Sequence, residues 1–141
     1  MTFFIDANVL LYAAVDCEQH DACAEVLSAV LAGAHGRTSV TVLEEVWHIE
    51  RSGRLGRLDG IAERAYRLLT PLLPVDDEAF ARALEVDAPQ LGANDRLHVG
   101  TCLVHGIGSI VTADRGFDGV RGIRRVDPLD APALRRLLRA R

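Results

Sequence analysis

Lysine is absent from this 141-residue chain, and all sixteen of its basic residues are arginine. The absence excludes every mechanism that depends on a lysine ammonium group. Receiver domains are excluded for this reason, and so are P-loop nucleotidases, whose glycine-rich phosphate-binding signature is also missing. The chemistry of the chain must therefore depend on other side chains.

Cysteine is scarce as well. Cys17, Cys23 and Cys102 form no CxxC pair, so they are interpreted as packed or surface thiols rather than as disulfides or zinc ligands. No apolar run approaches the ~20 residues that span a bilayer. The first six residues have no basic leader, and an acid follows their apolar stretch directly. We therefore expect a cytosolic protein without a membrane segment.

Length and charge limit the organisation of the chain. With 49% hydrophobic residues, 141 residues can bury one complete core but are too few for two ordinary domains. Residues 1–141 are therefore predicted to form a single domain. The formal net charge of −4 argues against a surface that binds nucleic acid over its whole extent, so any such contact must be local.

Short apolar runs alternate with longer segments of helical periodicity. Strands are predicted at residues 2–5, 37–39, 108–112 and 123–126, with a further candidate at 72–75. Helices are predicted at residues 8–14, 20–32, 40–51, 58–69, 77–86, 94–105 and 131–138. Strands separated by helices imply crossover connections and a mostly parallel sheet covered on both faces, which is a three-layer α/β/α fold. Ligands of such sheets bind at the carboxyl ends of the strands.

Four acidic residues lie at the ends of these elements. Asp6 directly follows the first predicted strand, and Asp114 follows the strand at 108–112. Each has a simpler interpretation, as a helix cap for Asp6 and a turn carboxylate for Asp114. Asp95 begins a predicted helix, where the helix dipole favours an acid in any case. Glu45 lies within a helix beside Glu44, and one of the two is expected to be solvated.

Convergence of these four acids would have a large electrostatic cost. Two carboxylates ~4 Å apart repel each other by about 4 kcal/mol at an effective dielectric constant near 20. This repulsion is comparable with a typical protein stability of about 5–15 kcal/mol. A cluster of acids therefore persists only if its members take up protons or a multivalent cation lies among them. Oxygen ligands select Mg²⁺ or Mn²⁺ rather than zinc.

Four segments in a fixed order carry a family resemblance. They are FIDANVL at 4–10, TSVTVLEEV at 38–46, NDRLHV at 94–99 and IVTADRGF at 110–117. Together they resemble the PIN domain, specifically the toxin ribonucleases of VapBC toxin–antitoxin pairs. The segments extend over most of the chain, and their combination is more specific than any one of them.

The resemblance implies a metal-dependent ribonuclease with a defined set of site residues. The metal pocket, for Mg²⁺ or Mn²⁺, would consist of Asp6, Glu45, Asp95 and Asp114, with Glu45 favoured over Glu44. Polar support would come from Asn8, Ser39 and Thr112, with Asp118 as a peripheral candidate that could equally be a turn cap. The implied chemistry is metal-assisted hydrolysis of RNA phosphodiester bonds without a covalent intermediate.

Arginine side chains are candidates for contacts with RNA, because a guanidinium pairs bidentately with phosphate. Arg51, Arg54 and Arg57 form a small cluster after the helix at 40–51, and Arg115 adjoins Asp114. The cluster has an alternative interpretation as a solvated helix end. The resemblance further implies a homodimer, silenced by a small VapB-like antitoxin whose tail fills the acidic pocket.

Other interpretations remain open. His98 shares a helix face with Asp95 and is interpreted as a packed polar residue rather than a ligand. The pairs Glu45-x-x-His48 and Asp95-x-x-His98 allow a carboxylate and histidine di-metal site, which would need a helical bundle. A haloacid-dehalogenase-type phosphatase, by contrast, is excluded, because it needs a second aspartate in place of Asn8 and normally a later lysine, and the chain has neither. The chain could also be a catalytically silent PIN-like module that binds RNA or a protein, or a processing nuclease outside any toxin pair.

Overall fold

The computed structural model describes residues 1–140, and Arg141 of the predicted domain lies outside the described residues. Its centre is a four-stranded sheet in the order β2-β1-β3-β4, with all neighbouring strands parallel. The strands are β1 Phe3–Ile5, β2 Gly36–Arg37, β3 Ser109–Val111 and β4 Arg124–Val126. The predicted parallel sheet is therefore confirmed.

Helices connect these strands. They are α1 Ala7–Tyr12, α2 His20–Leu31, α3 Val40–Ser52, α4 Ile61–Leu69, α5 Asp77–Leu84, α6 Ala93–Val104 and α7 Ala131–Arg139, and a 3₁₀ turn covers Arg115–Phe117. The candidate strand at 72–75 is wrong, because Leu73 forms only an isolated parallel bridge with Ser39. Pro71 and Pro74 flank Leu73 and cannot donate to a ladder, which explains why pairing stops there.

Side chains of β1 point to opposite helical layers. A side chain at Gly36 would meet Val30 of α2 together with Phe3 and Ile5 of β1, so α2 covers that face. Phe4 points to the other face, where its ring lies 5.8 Å from the His98 ring of α6. β1 and β3 are wholly buried, as expected of a parallel sheet between two helical layers. The three-layer prediction is thus confirmed.

Helix ends at the carboxyl edge of the sheet are fixed by polar caps. Asp6 accepts a hydrogen bond from the Ala7 backbone and caps α1, whereas Ser39 caps α3 through the Val42 backbone N–H. Gly53 ends α3 with a φ of 69°, a left-handed conformation that favours glycine. These caps place Asp6 and the start of α3 at the same edge of the sheet.

Close packing of α5 on α6 depends on Gly100. A Cβ atom there would lie 2.3 Å from the Ala79 carbonyl oxygen, so no larger residue fits without moving a helix. Within residues 1–140 the three cysteines are free thiols, in line with their predicted packing role. Among the described helices, none has the length and apolar character that crossing a bilayer requires.

Candidate metal centre

An acidic cleft of about 640 Å³ opens at the carboxyl edge of the sheet. The four acids predicted from the sequence all line it: Asp6, Glu45, Asp95 and Asp114. Asp6 and Asp114 follow the neighbouring strands β1 and β3, which end at the same edge because they are parallel. Glu45 comes from α3, and Asp95 comes from the first turn of α6. Four separate elements therefore contribute one carboxylate each.

Asp6 lies at the base of this cleft and is only 5% exposed. Its Oδ1 accepts the Ala7 N–H at 2.8 Å, and its Oδ2 accepts Thr112 Oγ1–H at 2.7 Å and Asn8 Nδ2–H at 2.9 Å. Burial raises the pKa of Asp6, although His98 and the hydrogen bonds counteract part of that rise. The site thus contains a buried carboxylate held by neutral donors.

Asn8 and Thr112 link the ends of β1 and β3. The Asn8 Nδ2 group also donates to Thr112 Oγ1 at 2.8 Å, and Asn8 Oδ1 accepts the Ala113 N–H at 3.1 Å. Thr112 Oγ1 in turn accepts the Asp114 N–H at 3.1 Å. The two polar side chains thereby fix Asp6 and the backbone that carries Asp114.

Ser39, the third residue predicted to support the pocket, lies elsewhere. Its hydroxyl is fully buried at the start of α3 and lies 2.9 Å from Thr41 Oγ1. Within residues 1–140 it makes no hydrogen bond to any of the four acids. Its contribution to the site is therefore indirect, through the position of α3.

The pKa of Asp95 reflects electrostatic repulsion among the four acids. Burial and the charge of Asp6 raise its pKa to about 6, with smaller contributions from the charges of Asp114 and Glu45. His98 lowers the pKa of Asp95, but not enough to offset these effects. All three other acids therefore act electrostatically on Asp95, which shows that the carboxylates share one environment.

Glu45 and Glu44 differ in their surroundings although they are neighbours in sequence. Glu44 is exposed at the rim of the cleft, whereas Glu45 is half-buried and accepts His98 Nε2–H at 3.0 Å. Burial would raise the pKa of Glu45, but the hydrogen bond and the charge of His98 outweigh it and the pKa is lowered. Of the two acids, Glu45 is the one directed toward the interior of the site.

His98 contacts this site; its burial confirms the interpretation as a packed polar residue, and the expectation that it is not a ligand stays a prediction. The side chain is fully buried, and its Nε2 lies 3.0 Å from Glu45 Oε2 and 3.9 Å from Asp6 Oδ1. Donor atoms of these three residues lie within 4.8 Å of one another. Burial lowers the pKa of His98, but Glu45 and Asp6 outweigh this effect and the pKa is raised. The acid-x-x-His spacing pairs His98 with Asp95 along α6 and gave no signal of its contacts with Glu45 and Asp6.

The four arginine candidates differ in whether they line the acidic cleft. Arg54 lines the acidic cleft, whereas Arg51, Arg57 and Arg115 are exposed and do not line it. Arg57 forms an exposed ion pair with Asp59 at 3.0 Å. Arg54 is therefore the predicted RNA contact that the structure brings to the site.

Asp118 is not brought to the acidic cleft. Its carboxylate accepts hydrogen bonds from Arg125 on β4, the shorter of them 2.7 Å long. Arg125 also donates to the Thr112 carbonyl oxygen at 3.2 Å and pairs with Asp127 at 2.9 Å. The ion pair with Arg125 explains why Asp118 turns away from the four acids.

The donor set fits a hard divalent cation. Four carboxylates supply oxygen ligands of the kind that Mg²⁺ and Mn²⁺ prefer. Two of them, Asp6 and Asp95, have raised pKa values because they are buried near like charges, and a cation would relieve that repulsion. The alternative of a di-metal site in a helical bundle is wrong, since the acids converge at the edge of a sheet.

A parallel α/β sheet with an acidic cleft at the carboxyl ends of its strands is an arrangement that can hold a divalent cation. The family model of the PIN domain matches residues 3–123. The chain belongs to the PIN domain family, which confirms the resemblance seen in its motifs.

Two relatives have similar length. The VapC ribonuclease of Mycobacterium bovis and ribonuclease VapC13 of Mycobacterium tuberculosis are each 29% identical to this chain over 129 residues. The aligned region covers 86% of this chain and 97% of each relative. The similarity therefore extends over almost the whole of both relatives.

Solved structures share the fold at low sequence identity. VapBC2 of Rickettsia felis, bound to a DNA fragment from its promoter, has a TM-score of 0.69 and 15% identity, covering 90% of this chain and 98% of that one. VapC20 of Mycobacterium tuberculosis, a toxin that cleaves the sarcin–ricin loop, has a TM-score of 0.65 and 20% identity, covering 87% of this chain and 99% of that one. At such identities the likeness shows the fold alone.

Proposed function

We propose that this PIN domain is a divalent-metal-dependent ribonuclease that hydrolyses RNA phosphodiester bonds as the toxin of a VapBC pair. The proposal is carried by one observation, the convergence of four carboxylates from four elements in a single cleft. Family membership and the relatives named as VapC ribonucleases support it. We propose Mg²⁺ or Mn²⁺ as the cofactor because every acidic donor is an oxygen.

Asp6, Glu45, Asp95 and Asp114 would hold the metal. When bound, the cation activates water for attack on phosphorus and neutralises the charge that develops on the phosphate and the leaving oxygen. The chain itself supplies rigidity. Thr112 and Asn8 hold the Asp6 carboxylate in place through bonds of 2.7 and 2.9 Å before any ligand arrives. Such fixed groups need no reorganisation during the reaction.

Arg54 is the best-placed group for binding the RNA backbone. It lines the cleft together with the acids, so its guanidinium can pair with a phosphate whose neighbour lies near the carboxylates. Arg51, Arg57 and Arg115 would extend this contact over the exposed surface beside the cleft. Because the chain has a net charge of −4, we expect RNA to touch only this local region.

We further propose a small VapB-like antitoxin as the partner of this chain and a homodimer as its solution state. The antitoxin proposal is supported by the structural likeness to VapBC2 of Rickettsia felis. The homodimer and the cytosolic location stay predictions from the sequence. Sedimentation of the purified chain, alone and mixed with the product of a short neighbouring gene, tests both partners.

The proposed activity is tested with purified protein and a mixed pool of labelled RNA that includes structured transfer and ribosomal RNA. We expect cleavage with Mn²⁺ or Mg²⁺, none with a chelator, and none by Asp6→Asn. Asp87→Asn is a matched control, because Asp87 is an exposed acid that does not line the cleft. Absence of cleavage by folded, antitoxin-free protein under every metal would instead favour a silent binding module.

A further inference from the structure

His98 lies directly beneath the acids, at a place where its hydrogen-bonding roles can be assigned. An ionised carboxylate only accepts hydrogen bonds, so the 3.0 Å contact between His98 Nε2 and Glu45 Oε2 requires a hydrogen on Nε2. Nε2 carries that hydrogen in the protonated ring and in one neutral tautomer. The donation to Glu45 is therefore independent of the charge state of the ring.

The opposite side of the ring is also held. His98 Nδ1 lies 3.4 Å from Thr41 Oγ1, which lies 2.9 Å from Ser39 Oγ. Ser39 Oγ accepts the Val42 N–H at the start of α3. The Phe4 ring packs on the imidazole at 5.8 Å with an interplanar angle of 40°. Contacts from α3 and β1 therefore fix the orientation of a side chain that belongs to α6.

The contact with His98 restricts the conformation of the Glu45 side chain. A glutamate side chain has several rotatable bonds, so holding it in one rotamer costs conformational entropy. Glu45 is only half-buried, and His98 donates to its carboxylate at 3.0 Å. Asn94 of α6 makes a smaller hydrogen-bonding contribution to the same carboxylate. The same Nε2 lies 3.9 Å from Asp6 Oδ1, so the donor lies near both carboxylates.

We propose that His98 is a positioning residue of the metal site, which presets the Glu45 carboxylate toward Asp6 by donating its Nε2–H. The Glu45 carboxylate would then be oriented before the cation binds. Thr41, which contacts the His98 ring, and Ser39, which contacts Thr41, would act indirectly by fixing the ring. The inference rests on the proposed function, since it takes Glu45 as a metal ligand. Groups in this outer role typically change metal affinity by about 10–100-fold when they are removed.

Direct ligation by His98 is a distinct arrangement. A ligating imidazole nitrogen must be free of hydrogen, whereas the contact with Glu45 needs the hydrogen on Nε2. Nδ1 points toward Thr41 on the far side of the ring. The geometry thus assigns His98 to orientation of a ligand rather than to coordination.

The test measures Mn²⁺ binding to the RNA-free protein by titration calorimetry. His98→Leu removes the donor and keeps apolar bulk, and we expect it to weaken Mn²⁺ binding by about 10–100-fold. His98→Gln retains an amide N–H with a reach close to that of Nε2, and we expect it to restore most of the affinity. His98→Asn is polar but too short to reach Glu45, so it should bind as weakly as the leucine variant. This matched amide pair decides the question even if His98→Leu fails to fold.

A double-mutant cycle with Glu45→Ala separates positioning from other roles. If His98 acts through Glu45, adding His98→Leu to Glu45→Ala causes no further loss of Mn²⁺ affinity. An equal loss in both backgrounds would overturn the proposal. Nitrogen coupling to bound Mn²⁺ in pulsed electron paramagnetic resonance, abolished by His98→Leu, would also overturn it and identify a direct ligand.

Two further outcomes distinguish this inference from the proposed function. Unchanged Mn²⁺ affinity in both His98→Leu and His98→Asn, with only a lower melting temperature, would reduce His98 to a packing role and overturn the inference alone. Absence of Mn²⁺ binding by the wild-type chain would overturn both proposals together.

Discussion

The two edges of the sheet carry cavities of similar size and opposite charge. The acidic cleft at the carboxyl edge measures about 640 Å³, and a basic hollow at the amino edge measures about 680 Å³. Arg37, His105, Ser109 and Arg124 line the hollow, and among residues 1–140 no acidic side chain lines it. Volume alone therefore does not separate a functional site from a surface depression.

The edges differ in how their charges are compensated. In the basic hollow Arg37 donates to the Pro71 carbonyl oxygen at 2.7 Å, and His105 contacts the Pro74 carbonyl oxygen at 3.2 Å. In the acidic cleft the carboxylates lie against one another, which helps raise the pKa of Asp95 to about 6. Folding has thus left an electrostatic cost at one edge that a cation can remove. A pKa raised by burial and by like charges in a cleft is typical of a functional site.

The largest expected effect is the loss of RNA cleavage when one acid of the cleft is replaced. We expect Glu45→Gln to lower RNA cleavage by about a hundredfold to a thousandfold, since a metal contributes several kcal/mol to such reactions. Glu44→Gln is the matched control on the same helix and should leave the rate nearly unchanged, because Glu44 is exposed at the rim of the cleft and is not one of the four proposed ligands. Arg124→Gln at the amino edge should likewise leave the rate of RNA cleavage unchanged. Comparable losses for Glu44→Gln and Glu45→Gln would contradict the assignment.

Ligand-induced stabilisation is the next largest effect. Mn²⁺ at a hundred times its dissociation constant should stabilise the folded chain by about 2.7 kcal/mol. For a chain of this size the melting temperature should rise by roughly 6–11 °C.

Inorganic phosphate provides the contrast at the amino edge. Among residues 1–140, Arg37 Nε is a buried donor without a hydrogen-bond partner, so the basic hollow is the place to test for a bound anion. We expect phosphate to leave the melting temperature unchanged, because Arg37 and His105 already contact carbonyl oxygens. A phosphate shift as large as the Mn²⁺ shift, abolished by Arg124→Gln, would make the hollow a second binding site.

Much of the acidic edge could be predicted from the sequence, because Asp6 and Asp114 each directly follow an apolar run. Parallel neighbouring strands end at one edge, so two such acids must lie close together once the strands pair. The polar roles of Asn8 and Thr112 were predicted from the family resemblance, and both residues lie beside the strand ends. Helix boundaries were predicted less well. The helix expected from residue 58 begins at Ile61, after Gly60 with a φ of 79°.

Other features depend on tertiary contacts that no local pattern contains. The contact of His98 with Glu45 depends on how α6 lies against α3, and spacing along α6 alone cannot reveal it. Asp118 turns away from the cleft because Arg125, on a strand later in the chain, binds its carboxylate. The sequence and its family resemblance therefore identified the four acids and the support of Asp6 by Asn8 and Thr112. They did not identify the contact of His98 with Glu45 or the ion pair of Arg125 with Asp118.

A smaller effect compares hydroxyl groups at the two ends of β3. Thr112→Val removes the donor to Asp6 at 2.7 Å and the acceptor of the Asp114 N–H, and both groups are buried or half-buried. Loss of these bonds should lower the free energy of unfolding by about 1–3 kcal/mol.

Ser109→Ala is the matched control for this prediction. Among residues 1–140, the buried Ser109 hydroxyl makes a single long contact of 3.5 Å with Arg124, so its removal should cost less than the loss at Thr112. Denaturant unfolding in chelator at pH 7.5 measures both variants. An equal loss in the free energy of unfolding for Thr112→Val and Ser109→Ala would contradict a special structural role of Thr112 at the carboxyl edge.

The smallest expected effect is the pH dependence that Asp95 imposes on the metal-free chain. Its pKa is raised from 3.8 to about 6 in the folded state, so the folded state favours the protonated form. The resulting stability is fully present below pH 3.8 and is lost as the pH rises through 6. At pH 8 in chelator, Asp95→Asn should therefore stabilise the chain by about 1 kcal/mol, a value reduced from the full linkage energy because the side chain is half-exposed. The gain should vanish near pH 4, and Asp87→Asn should show no such trend. A gain of equal size at both pH values would mean that it arises from the amide itself and not from relief of repulsion among the acids.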